Sequence, residues 1–186
     1  MKIIFIHRKS DVHKLLPKLK KQDRAAQKEL YDTYAPKMLS VCRNYIADVH
    51  YAEDVMIKAF FKVFKSIDLY KSEGSFEGWI RRIMVNESLT FLRLNKSLIY
   101  LEEDKFADEP LENEEDMTGI DAQELLDSLP ESYRAVFNLF VLEDFSHKEI
   151  ANMLNITETT SKTQYFRAKN KLKEIILNKK KQTNEN

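Results

Sequence analysis

The stretch SHKEIANMLNITETTSKTQYFRAKNKLKE, residues 146–174, decides how the C-terminal part of this chain folds. Ser146 followed three residues later by Glu149 is a capping box, which predicts a helix starting after Ser146. Asn155 suits the left-handed conformation that ends a helix, and Thr157 suits the N-cap of the next. We therefore predict a short helix, a tight turn and a longer helix that ends near residue 178.

Two capped helices joined by a few residues, the second one basic, are typical of a DNA-binding helix-turn-helix. Thr and Gln can hydrogen-bond to base edges, Arg can read guanine, and Lys suits phosphates. An amphipathic helix with a solvated Lys-rich face is the simpler alternative, but it does not explain the two caps and the turn. The residues that we assign to DNA contact are Thr160, Lys162, Thr163, Gln164, Phe166, Arg167 and Lys169.

Composition limits what else the protein does. The formal net charge is zero, but residues 102–116 contain nine acids and one Lys, so the rest of the chain is net basic. Cys42 is the only cysteine and the four histidines are scattered, so no metal site is predicted. With three glycines and no phosphate-binding loop, nothing indicates a catalytic residue, a cofactor or a small-molecule substrate. No apolar run is long enough to cross a membrane and no signal peptide is indicated, so we expect a cytoplasmic protein that is not an enzyme.

Helical periodicity also dominates the N-terminal part. Apolar stripes run from Leu30 to Tyr45, from Met56 to Ile67 and from Ile80 to Leu92. Pro36 predicts a break or a new first turn, and residues 71–75 a loop. The fold class that we predict is all-α: two small helical domains joined by a flexible acidic linker.

The C-terminal motifs are similar to region four of the extracytoplasmic-function (ECF) sigma factors of the sigma-70 family. Members of that group have an L-P-x-x-x-R segment, an S-x-x-E-I-A helix and a basic helix that binds the −35 promoter element. Here Leu129-Pro130 with Arg134 stands for the first of these motifs. Ser161 replaces the usual Val and Gln164 the usual Arg.

Residues 51–70 and 75–93 resemble sigma region two, with an A-E-D start and an F-x-x-W motif followed by an Asn. The resemblance implies that this part melts the −10 element and holds the freed strand, with Asn86 facing a flipped base. Stacking aromatics and backbone-tracking cations are what such a task requires. For Trp79, core packing is the stronger interpretation. The residues assigned to the −10 element are Tyr70, Trp79, Arg81, Arg82, Asn86, Arg93 and Lys96.

By the same resemblance, the helix starting near Asp54 binds the polymerase β′ coiled coil, and region four contacts the β flap. Relatives commonly have Gln-Glu where this chain has Ile57-Lys58; Ile57 could add apolar area to the interface or lie in a core. The residues assigned to polymerase binding are Asp54, Ile57, Lys58 and Phe61. The resemblance also implies an anti-sigma factor as a partner.

The expected domain order is an extension at 1–22, region two at 23–98, the acidic linker at 99–119, region four at 120–178 and a polar tail at 179–186. The resemblance implies that the linker passes through the polymerase cleft; a solvated tether is the alternative. A conventional helix-turn-helix regulator that binds operators without polymerase is the second hypothesis for the whole chain. A helical adaptor that binds only proteins is the third.

Overall fold

The computed structural model describes residues 12–71, 73–95 and 121–184, and those residues form helices and connecting turns without a β-strand. The helices divide into two compact units, the first made mainly of α1–α4 and the second of α5–α8. The predicted all-α fold is confirmed. None of the described helices is long and apolar enough to span a membrane. Residues 99–119, predicted to be an acidic linker, lie outside the described ranges.

The first unit is a bundle whose helices bury the predicted apolar stripes. The elements are α1 (Val12–Lys20), α2 (Arg24–Arg43), α3 (Val49–Lys65), a 3-10 helix (Ile67–Leu69) and α4 (Phe76–Leu94). Leu30 and Met38 from α2, Phe60 from α3 and Ile80 from α4 are all at most 1% exposed. α1 packs against α2 and the 3-10 helix, so part of the segment expected to be an extension belongs to this bundle.

α2 continues through Pro36, so the break predicted there is wrong. A proline within a helix leaves the carbonyl four residues earlier, here that of Asp32, without its amide partner. Asp32 and Pro36 are both exposed, where water can bond to that carbonyl, while Ala35 and Met38 beside them are buried. Packing on the buried side therefore keeps the helix continuous.

The second unit contains α5 (Ala122–Asp127), α6 (Glu131–Val141), α7 (His147–Leu154) and α8 (Glu158–Asn184). α8 packs against both α6 and α7, over a core that includes Leu139, Ile150 and Leu154. Pro130 is the N-cap of α6. Val141, the last residue of α6, is 47% exposed.

α8 is longer than the sequence predicted, ending at Asn184 instead of near residue 178. Ile176 is buried, and Lys179 forms an ion pair with Glu124 of α5 at 2.6 Å. These contacts hold α8 against the second unit as far as Lys179.

Candidate nucleic-acid interface

The helix-turn-helix forms through the local signals predicted for it. The Ser146 hydroxyl accepts a hydrogen bond from the Glu149 amide, and a Glu149 carboxylate oxygen accepts from the Ser146 amide at 2.8 Å. Asn155 takes the left-handed conformation, with φ 56° and ψ 50°, and ends α7. The Thr157 hydroxyl accepts from the Thr160 amide at 2.9 Å, which caps α8. The predicted helix, turn and helix are therefore confirmed.

Two of the residues assigned to the −35 element face the interior of the second unit. Gln164 is 0% exposed and Thr160 is 8% exposed, with the Thr160 hydroxyl hydrogen-bonded to that of Thr157 at 2.7 Å. Ser161 and Ala168 are also fully buried. These four positions recur at helical spacing on one side of α8, the side that packs on α6 and α7. The expectation that Thr160 and Gln164 present their side chains to DNA is not met by this structure.

The opposite side of α8 is open to solvent. Thr159, Lys162 and Asn170 are exposed, with Thr163 and Phe166 half-buried between them. Thr159 was absent from the sequence-based set, although its place three residues before Lys162 puts both on one face. This outward face, which we call the α8 face, is defined by Thr159, Lys162, Thr163, Phe166 and Asn170.

Two further cations flank the α8 face. Arg167 is half-buried at its edge. The Lys169 ammonium lies 4.8 Å from the centre of the Tyr165 ring, a cation–π geometry. Lys162 itself forms an ion pair with Glu158 at 2.8 Å, which lowers the pKa of that carboxyl through a hydrogen bond and charge attraction. The α8 face thus combines positive charge with groups that can hydrogen-bond to base edges.

An aromatic cluster joins α7 to α8 behind this face. The His147 ring stacks on Phe140 with centroids 4.6 Å apart, and Tyr165 lies 4.6 Å from Phe140. His147 Nδ1 is 2.9 Å from the hydroxyl of Ser161, the residue that stands where relatives have Val. Burial and the nearby Lys162 lower the pKa of His147. The polar Ser161 is therefore accommodated by a hydrogen bond that ties the start of α7 to α8.

Arg134, part of the L-P-x-x-x-R segment, has a structural role. Its guanidinium is buried, donates to the Leu129 carbonyl at 3.0 Å and pairs with Asp127 at 3.5 Å. These contacts hold the turn between α5 and α6. Arg134 therefore uses its charge to stabilise this turn inside the second unit, and the side chain does not face DNA.

α4, most of which belongs to the first unit, presents three of the residues assigned to the −10 element along one exposed stripe. Arg82, Asn86 and Arg93 are all exposed and lie at i, i+4 and i+11. Arg81 is half-buried on a different side of α4, so the structure separates it from these three. Lys96 lies outside the described residues. We call Arg82, Asn86 and Arg93 the α4 stripe.

The aromatics assigned to base stacking form a cluster at the start of α4. Tyr70 is 6% exposed, and its hydroxyl donates to the Gly74 carbonyl at 3.1 Å. Trp79 is half-buried, with its ring 5.4 Å from Tyr70 and 5.6 Å from Phe76. Tyr70 is therefore a core residue in this structure, and the packing interpretation of Trp79 is supported. Only an edge of the cluster is available to a base.

A third surface lies on α3. Ile57 is 54% exposed and Phe61 is 61% exposed, one helical turn apart, with Asp54 and Lys58 exposed beside them. Ile57 is therefore not a core residue, which excludes one of the two alternatives that the sequence left open. Lys65 stacks over the Phe61 ring at 4.5 Å. We call Asp54, Ile57, Lys58 and Phe61 the α3 face; its two large exposed apolar side chains are typical of a protein contact.

Two family models match separate parts of the chain. The model described as Sigma-70 region 2 matches residues 30–97, and the model described as Sigma-70, region 4 matches residues 120–172. The α3 face and the α4 stripe lie in the first match and the α8 face in the second.

Similar proteins carry matching descriptions. The chain is 27% identical over 180 residues to the ECF RNA polymerase sigma factor SigW of Bacillus subtilis (strain 168), covering 89% of this chain and 96% of that protein. It is 26% identical over 183 residues to the ECF RNA polymerase sigma-E factor of Escherichia coli (strain K12), covering 87% and 94%. It is 24% identical over 157 residues to the ECF RNA polymerase sigma factor SigM of Bacillus subtilis (strain 168), covering 79% and 93%. With both regions matched in order along one chain, this protein belongs to the extracytoplasmic-function subfamily of the sigma-70 family.

Proposed function

We propose that this protein binds core RNA polymerase, directs it to promoters and starts transcription there without catalysing a reaction itself. The observation that carries the proposal is the presence of two separate DNA-suited surfaces, the α4 stripe and the α8 face, in the two matched sigma regions of one chain. A regulator that acts without polymerase has no use for the α4 stripe. A purely protein-binding adaptor has no use for either surface.

Each surface has a defined part in the proposal. The α8 face reads the −35 element, with Thr159, Thr163 and Lys162 directed outward and Arg167 at the edge. The inward positions of Thr160 and Gln164 give these two residues a packing role. The α4 stripe contacts the −10 element, where Asn86 reads an unpaired base and Arg82 and Arg93 lie along the backbone.

The α3 face binds the polymerase in this proposal. Exposed apolar side chains at the centre of an interface contribute most of the binding free energy when water is excluded from them. Ile57 and Phe61 provide such a centre, with Asp54 and Lys58 at its polar rim. The β′ coiled coil is the predicted partner surface, and an anti-sigma factor would act by covering the same face.

The direct test is binding to core polymerase followed by run-off transcription on genomic promoter fragments. The wild-type chain is expected to bind core enzyme and to produce discrete transcripts that core enzyme alone does not. Failure of the purified, inhibitor-free chain to bind core enzyme would contradict the proposal. Operator binding that needs no polymerase would favour the regulator instead.

The polymerase surface can be tested with the double variant Ile57→Ala and Phe61→Ala. Loss of two apolar anchors at the proposed centre of the interface is expected to weaken core binding by roughly tenfold or more, since about 1.4 kcal/mol is tenfold in affinity and central anchors cost about 2 kcal/mol or more. Folding should be retained because neither side chain is buried. Leu69→Ala, an equally exposed apolar site outside the α3 face, is the matched control and should bind normally.

A further inference from the structure

A cluster of cations occupies the corner between α1 and α2 in the first unit, and none of its members belongs to the three surfaces already described. Lys18, Lys20, Lys21 and Arg24 are all exposed, and Asp23 is the only acid among residues 18–24. None of the four cations forms an ion pair with a described residue. We call these four residues the basic corner.

The fold holds the basic corner rigidly. α1 is anchored by Leu15 and Leu19, which are 6% and 1% exposed. It ends in a Schellman motif: the Asp23 amide donates to the Lys18 carbonyl at 3.1 Å and the Gln22 amide to the Leu19 carbonyl at 2.9 Å. Gln22 takes the left-handed conformation with φ 57° that this motif requires.

Side-chain bonds lock the same turn onto the bundle. The Gln22 side-chain nitrogen Nε2 donates to the Phe64 carbonyl near the end of α3, at 3.0 Å. The Gln22 side-chain oxygen accepts from Gln27 at 3.0 Å, and Asp23 accepts from the Ala26 amide at 2.8 Å. The cations therefore project from a fixed turn rather than from a flexible tail, which reduces the entropy lost when a ligand orders them.

Helix electrostatics do not explain this arrangement. Cations in the last turn of α1 interact favourably with the negative end of its dipole, which accounts for Lys18 and Lys20. Arg24 is the first residue of α2, where the positive end of the dipole disfavours a cation; the acid at this end is the N-cap Asp23, whose carboxylate accepts from the Ala26 amide. The helix dipoles therefore account for Lys18 and Lys20 but not for Arg24.

The chemistry of the corner favours phosphate over a protein surface. Between Lys18 and Arg24 no large apolar side chain is exposed, whereas protein interfaces are built on apolar and aromatic anchors and are depleted in Lys. Clustered Lys and Arg side chains without such anchors are the usual contacts to a nucleic-acid backbone. We propose that the basic corner binds the phosphate backbone of promoter DNA in the polymerase complex, as a contact independent of base sequence. This inference rests on the proposed function.

The experiment compares holoenzymes carrying the wild-type chain and the variant Lys18→Ala, Lys20→Ala, Lys21→Ala and Arg24→Ala. The probe is a promoter fragment that the wild-type holoenzyme transcribes, titrated across a series of NaCl concentrations. The slope of log affinity against log salt is about −0.9 for each phosphate neutralised. We expect the variant slope to be less steep by about 2 to 4, with the loss of affinity greatest at low salt.

The matched control is Lys28→Ala with Lys37→Ala, which removes two exposed cations of α2 that are paired with Asp32 and Glu77. Its slope should equal that of the wild type. A milder variant, Lys20→Gln with Lys21→Gln, removes two charges but keeps polar side chains, and it serves if the fourfold variant does not fold.

Two results would overturn the inference. An unchanged slope in a folded variant would mean that the corner contacts no phosphate. A weakened affinity for core polymerase with an unchanged slope would identify the corner as a protein contact. Both results leave wild-type transcription intact, so they are distinct from a failure of the proposed function, in which the wild-type chain neither binds core enzyme nor starts transcription.

Discussion

Gln164 is completely buried in the second unit, and neither its side-chain nitrogen nor its oxygen has a hydrogen-bond partner among the described protein atoms. A buried amide in that condition costs about 1–3 kcal/mol relative to a satisfied or apolar group. We predict that Gln164→Met, which keeps the length of the side chain, raises the stability of the second unit by about 1 kcal/mol. Calorimetry on the full chain would show this as a higher melting temperature for one transition.

The control for this substitution is Gln123→Met. The Gln123 side chain donates to Asp127 at 2.9 Å, so its replacement removes a satisfied hydrogen bond and should give no increase in stability. A lower melting temperature for Gln164→Met would contradict the prediction. It would show that the amide is satisfied in solution, by water for example.

His147 makes the second unit sensitive to acid. Burial lowers the pKa of His147 below its ordinary value of 6.5, Lys162 and Lys169 act in the same direction, and Glu158 opposes them. The fold therefore favours the neutral ring. Its stabilising contribution is complete above about pH 6.5 and is lost as the pH falls from there through the lower pKa of the folded state.

Melting curves between pH 8 and 5 would measure this effect. The wild-type chain should lose more stability over that interval than His147→Gln, whose amide can still bond to Ser161 but does not titrate. Substitution of the exposed His50 by Gln is the control and should follow the wild type. Parallel curves for the wild type and His147→Gln would show that protonation of this ring does not oppose folding.

The N-cap of α7 determines where the helix-turn-helix begins. Replacement of an N-cap serine by alanine costs about 0.5–2 kcal/mol, because a backbone amide of the first turn loses its acceptor. Ser146→Ala is therefore expected to destabilise the second unit by about 1 kcal/mol and to weaken promoter binding through α7 and α8. Thermal melts and holoenzyme titrations measure the two effects.

Ser40→Ala tests whether this loss is specific to the cap. Ser40 is an exposed residue inside α2, so alanine there should be neutral or slightly stabilising. Equal losses in both variants would argue against a capping role for Ser146.

The same elements show what the sequence can and cannot reveal. Caps are encoded locally, so Ser146, Asn155 and Thr157 predicted the boundaries of the helix-turn-helix. The buried side of α8 was not predictable in this way, since Thr160 and Gln164 are polar and resemble base-reading residues. Only the packing of α6 and α7 against them shows that they face inward, and only packing keeps α2 helical through Pro36.

The family resemblance predicted the all-α fold and which helices carry the proposed DNA and polymerase surfaces. The structure then shows which of the assigned residues on those helices are exposed. The exposed Asn86, Arg82 and Arg93 form one stripe, whereas Arg81 lies on another side of α4 and Tyr70 is in the core. The sequence also gave no reason to include α1 in the first bundle. α1 packs on the 3-10 helix Ile67–Leu69, far along the chain, and such a contact leaves no local signal.

If the α4 stripe and the α8 face contact different promoter elements, as proposed, variants of the two surfaces should be impaired on different DNA probes. Lys162→Ala on the α8 face should weaken holoenzyme binding to duplex DNA that includes the −35 element. The same variant should bind normally to a pre-melted −10 bubble that lacks a −35 element. Asn86→Ala on the α4 stripe should show the reverse, because an unpaired base is its proposed ligand.

Lys171→Ala provides the control, as this exposed lysine lies nine residues after Lys162, half a turn around α8, and is paired with Glu174 at 2.8 Å. Lys162→Ala should lower the affinity for its own probe by about three- to tenfold if it contributes about 1 kcal/mol. If both variants were equally impaired on both probes, the two surfaces would act as one unit. The division of labour between α4 and α8 would then be wrong even though the chain remains a sigma factor.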